Sequence, residues 1–181
     1  THFVAMLGYK SSVMIGYDAP LTILSLAIAI ATTTAGFYLA ASTSSSWRIE
    51  AGGAVVGAGV AAMHYVGMSA LEMHGQIQWN GAYVAASIIL AVLFGMLAVN
   101  RVARPVTRFC RLGGVVALVL GVVSLHFTGM TAMSIVPHAI VLSSNNFMSP
   151  NVLAAGVVMV ASLLGLITAI TYFIDMQNAR S

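Results

Sequence analysis

Charge is scarce in this sequence. Only 6% of its residues are charged, against about 25% in an ordinary soluble domain. Cysteine is nearly absent as well. Cys110 is the only one, so no intrachain disulfide can form and no thiolate cluster can hold a metal. Asp and Glu together number four, and they supply no paired carboxylates for acid–base chemistry. A nucleophile with an adjacent base is not recognisable either, and no secretory signal peptide is visible.

What remains is apolar: 60% of the residues are hydrophobic, which places the chain in the membrane class. Apolar tracts lie near 21–41, 52–71, 82–100, 113–136 and 151–174. Each approaches the roughly 20 residues that cross about 30 Å of hydrocarbon as a helix. Their apolar runs do not alternate, so they read as helices that satisfy their own backbone rather than as barrel strands. Residues 1–8 read as the tail of a helix whose beginning lies outside the sequence, so the chain reads as a piece of a longer protein. The predicted fold class is all-α, a polytopic transmembrane helix bundle in a lipid bilayer.

A repeat organises the bundle. His-aromatic-x-x-Met occurs in "THFVAM" (1–6), "MHYVGM" (63–68) and "LHFTGM" (125–130). The copies begin at 1, 63 and 125, so both spacings are 62 residues. Each unit runs from the motif through a polar loop, one apolar span, a short loop and a second span to the next motif. The third unit is looser, with a longer loop holding Pro137, Asn145, Asn146 and Pro150. Two crossings separate successive motifs, so all three are expected at one face of the membrane. The opposite face receives Arg48, Arg101, Arg104, Arg108, Arg111 and Arg180, whereas the motif face has only Lys10. The positive-inside rule makes the arginine face cytoplasmic. In a bacterial inner membrane the motifs then lie toward the periplasm and the C-terminus in the cytoplasm. The arginine loop at 100–111 reads as an orientation signal touching anionic headgroups, not as a nucleic-acid site. Cys110, within it, reads as a loop residue without special chemistry.

On a helix, residues i and i+4 share a face, with Cβ atoms about 6 Å apart. The pairs His2/Met6, His64/Met68 and His126/Met130 are therefore candidate metal ligands, each offering an imidazole nitrogen and a thioether sulfur. Ionisable groups inside a membrane are costly and default to a functional reading. Thioether with imidazole suits Cu(I) better than hard cations. Zinc, which prefers thiolate and imidazole, ranks second, and haem competes because His and Met are also axial haem ligands. Met133, three residues past Met130, is the first additional candidate, followed by His138, Met73, His74 and Met14. Asp18 and Glu72 could add a carboxylate, although a helix cap or a solvated charge is the plainer reading of each. The aromatics Phe3, Tyr65 and Phe127 read as packing. Ala5, Gly67 and Gly129, just before each methionine, are small enough to let neighbouring helices approach.

Together the three motifs resemble the MHYT domain, a bacterial integral-membrane sensory module, over essentially the whole chain. The resemblance implies a seven-helix domain with His and Met near the outer face and copper as the ligand. It also implies a diatomic gas (oxygen, nitric oxide or carbon monoxide) as a candidate signal. A cytoplasmic output domain, a cyclic-di-GMP cyclase or phosphodiesterase, is the expected partner. The matching positions are His2, Met6, His64, Met68, His126 and Met130. This sequence departs from the family in lacking the first helix and most of the second, and in carrying Ala5 where the second motif has Gly67. The leading expectation is thus a copper-binding or redox-responsive sensor input domain without catalysis of its own, with a homodimer left open. The alternatives are a haem- or copper-dependent redox membrane enzyme and a metal transport or handling protein.

Overall fold

In the computed structural model, residues 16–42, 45–72, 76–104, 108–136 and 147–178 are described. They form five long helices: α1 (Ala19–Ala41), α2 (Ser46–Ser69), α3 (Gly81–Ala103), α4 (Arg108–Thr131) and α5 (Pro150–Asn178). All five are long and apolar enough to cross a membrane. The chain is a multi-pass helical bundle, as its hydropathy predicts.

Helix starts are set by local chemistry. The Asp18 carboxylate accepts the Leu21 N–H at 2.8 Å, and Pro20 occupies the first turn of α1. The Asn80 side chain accepts the Ala82 N–H at the start of α3. Inside the spans, hydroxyls turn back on their own helices. Thr32 donates to Ile28, Ser69 to Tyr65 and Thr131 to Phe127, so these polar groups add no unsatisfied donor to the membrane.

The helices pack in order: α1 against α2, α2 against α3, and α3 against α4. Helix α2 is the most buried span and carries glycines toward both neighbours. A Cβ added at Gly52 would meet the Gly36 carbonyl and Ala40 of α1. One added at Gly53 would meet Gly95 and Met96 of α3. Without hydrophobic drive between helices in lipid, such close contact of backbones is what van der Waals packing has to work with. Apolar clusters fill the remainder, among them Ala40, Ile49, Val56 and Val99, and Ala61, Ala91 and Leu125.

A feature not legible from composition caps one end of the bundle. Five short strands sit there: β1 (Gly16–Asp18), β2 (Leu71–Glu72), β3 (Gln76–Trp79), β4 (Met133–Val136) and β5 (Phe147–Met148). They pair antiparallel in the orders β2-β1-β5 and β3-β4, with Tyr17 opposite both Leu71 and Met148. The Asn80 N–H also reaches the Ala132 carbonyl, tying the start of α3 to the end of α4. The strands join segments before α1, after α2 and after α4, so the C-terminal ends of α2 and α4 lie at one end of the bundle.

Two sequence readings shift here. Helix α4 ends at Thr131, and Met133 belongs to strand β4 rather than to the helical face of Met130. The turn at Ala132 explains this: its N–H bonds Thr128 and Gly129 and its carbonyl is taken by Asn80, which ends the helix and starts the strand. Cys110 lies within the first turn of α4, not in the loop.

Candidate metal centre at the capped end

His64 stands one turn before Met68 on α2, and His126 one turn before Met130 on α4. The bundle brings the two histidines together. Their ring centroids are 5.6 Å apart and the rings are nearly perpendicular, at 83°. His64 is 1% exposed and His126 is half-buried. The His64 Nε2 and the His126 Nδ1 are both shielded from solvent.

Gly129 is the reason His64 fits. A Cβ added there would fall 2.6 Å from the His64 Nε2 and 3.4 Å from the Tyr65 hydroxyl. The small residue of the third motif thus makes room for the histidine of the second. Sequence reasoning expected small residues at these positions to admit a neighbouring helix. It did not identify which side chain occupies the space.

The methionines gather beside the histidines, nearer the strands. Met68 is completely buried and packs with Tyr17, Leu71 and Leu153, and Met130 and Met133 pack against that cluster. Met133 therefore joins the methionine group from a strand. Tyr17, on β1, had no signal in the sequence beyond being aromatic. Its burial in the cluster pushes its hydroxyl above the ordinary phenol range, which keeps it neutral.

The two motif aromatics differ. Tyr65 meets Trp79 edge-on at 5.5 Å, and its hydroxyl lies 2.6 Å from the Ser87 Oγ on α3. Ser87 has one hydroxyl hydrogen and gives it to the Val84 carbonyl, so Tyr65 donates and Ser87 accepts. Phe127, at the matching position, is 67% exposed. We expect Tyr65→Phe to lower stability by about 1 kcal/mol, the net worth of one such bond. Thermal unfolding of the detergent-solubilised chain measures this, and Phe127→Leu should change it less.

Among the described residues, no three His, Cys, Asp or Glu side chains cluster as a metal site. Two carboxylates are engaged elsewhere: Asp18 caps α1, and Glu50 accepts a hydrogen bond from the Asn100 amide toward the uncapped end. What converges is two imidazoles, each one helical turn from a thioether on its own helix. That donor set fits a soft ion and offers little to Mg²⁺ or Ca²⁺. His2, Met6, Met14, Met73, His74 and His138 lie outside the described residues.

Comparison with known proteins agrees with the motif. The MHYT family, described as a bacterial signalling protein N terminal repeat, matches residues 1–53 and 57–115. An uncharacterized signaling protein of Caulobacter vibrioides is 38% identical over all of this chain and 22% of its own length. Two proteins of Pseudomonas aeruginosa follow. The bifunctional diguanylate cyclase/cyclic di-GMP phosphodiesterase MucR is 35% identical over 72% of this chain and 20% of itself. The cyclic di-GMP phosphodiesterase NbdA is 32% identical over 74% of this chain and 18% of itself. The chain thus spans about a fifth of the length of these relatives. No solved structure matches it.

Proposed function

The chain belongs to the MHYT family of bacterial signalling repeats, and from that premise we propose that it is a copper-binding sensor input domain of the bacterial inner membrane. The observation that carries the reading is the convergence of His64 and His126, one from each of two repeat units, each standing one helical turn before a methionine, Met68 and Met130, of one packed group. The two imidazoles would hold Cu(I), with the thioethers completing its surroundings. Copper bound there supplies a redox-active centre able to take a diatomic gas.

The residues of the chain do the signalling. His64 and His126 sit on different helices, so a ligand shared between them couples α2 to α4. A signal results only if the ligand prefers one α2–α4 packing over another. Both helices continue to the opposite end of the bundle, and the arginines there support a cytoplasmic reading of that end by the positive-inside rule. An output domain of the cyclic-di-GMP cyclase or phosphodiesterase type, as named in two relatives, would receive the change there.

Elemental analysis with an optical spectrum of the purified, membrane-extracted chain tests the reading. Copper in fixed proportion to protein, with no Soret band, is expected. Protein carrying zinc, haem or no metal overturns it.

A further inference from the structure

At the uncapped end, away from the histidines, the bundle has a second concavity. The C-terminal turns of α1 and α3 and the first turn of α2 border an open groove of about 620 Å³. Its walls are apolar, among them Phe37, Ala40, Ile49, Val99 and Val102, and the charged residue among its described lining is Arg104. A volume of this size falls within the roughly 300–1,000 Å³ of small-molecule sites. Arg104 is the C-cap of α3, its N–H bonded to the Asn100 carbonyl, and its side chain is exposed. Trp47, in the first turn of α2, is 69% exposed at the same end. An exposed tryptophan beside cationic helix ends marks the level of lipid headgroups.

We propose that this groove is a binding site for an anionic phospholipid, with an acyl chain between α1, α2 and α3 and the headgroup phosphate on Arg104. The charge pattern selects the occupant. Apolar walls suit any acyl chain, but the mouth presents a guanidinium, which pairs with phosphate in a fork geometry that a zwitterionic headgroup partly compensates for itself. A second copy of this chain is the other occupant that the test distinguishes. The inference does not depend on copper.

The chain has two tryptophans; replacing both by phenylalanine, and Phe37 on the groove wall by tryptophan, leaves one reporter in the groove. In nanodiscs of phosphatidylcholine containing a minor fraction of brominated phosphatidylglycerol or brominated phosphatidylcholine, quenching of that reporter reads local occupancy. Brominated phosphatidylglycerol should quench about fivefold more effectively, the effect of one arginine on an anionic headgroup. Arg104→Gln should bring the ratio close to one. Arg101→Gln, on α3 but outside the groove lining, should leave most of it. Ala41→Leu, which fills the groove from an exposed position on its wall, should reduce quenching by phosphatidylglycerol selectively. Equal quenching by the two lipids in the unaltered groove overturns the proposal. So does an equal loss in Arg104→Gln and Arg101→Gln, which would mean diffuse surface attraction, or shielding of the groove reporter from both lipids by a second copy.

Discussion

For the proposed copper site, the expected result of replacing His64 by glutamine is loss of most of the copper from the purified domain. Glutamine preserves much of the volume and the polarity of the buried site but not the imidazole nitrogen. His64 is the more enclosed of the two histidines, and its Nε2 lies against α4 at Gly129. Little room exists for another donor to take its place. Changes one shell outside a metal already lower affinity about 10–100-fold, so loss of a direct ligand should weaken Cu(I) by at least about 100-fold. Competition with a Cu(I) chelator of known affinity measures this, and mass spectrometry gives the residual stoichiometry. His126→Gln should act in the same direction. Full copper retention in both variants would remove these residues from the ligand set. Thermal unfolding of the metal-free variants separates loss of ligand from loss of fold.

The second large effect concerns the fold. A Cβ at position 95 would lie 2.6 Å from the Gly53 carbonyl, 2.8 Å from the Gly57 N and 2.9 Å from the Gly57 Cα. All three atoms are backbone, so no side chain can swing aside. Gly95→Val must push α2 and α3 apart where their close approach forms the packing. Overpacking a core typically costs about 1–3 kcal/mol, occasionally more. This position should fall at the upper end or prevent assembly of the bundle. Gly113 provides the matched comparison, since a Cβ there meets nothing within 4 Å. Gly113→Ala should be neutral or stabilising by up to about 1 kcal/mol through helix propensity. Size-exclusion profiles and thermal unfolding in one detergent distinguish the two.

The spans were legible because hydrocarbon thickness imposes a length and backbone satisfaction imposes a helix. The pairing of His64 with Met68 was legible because helical period is local. Which histidine meets which was not. That depends on the rotation of α2 against α4, and only the packed bundle places the His64 ring against Gly129 rather than against another small residue. The strands were hidden for a related reason. Two to four residues carry no period, and their partners lie far along the chain, as Tyr17 does from Met148. Met133 illustrates both limits: sequence spacing put it on a helical face, whereas a turn at Ala132 moves it into β4 and still delivers it to the methionine cluster. Asp18 shows the reverse case, where the plainer reading of a carboxylate as a cap was the structural one.

The strand cap also bears on time. Met68 has no exposed surface, and Tyr17, held between β2 and β5, is among the residues that cover it. Anything that leaves Met68 for the aqueous phase must wait for its covering to part. For an ion held in the proposed site, departure would run at the rate of local opening wherever release from the open form is faster than reclosing. A sensor of the proposed kind would then average conditions over the lifetime of its closed cap.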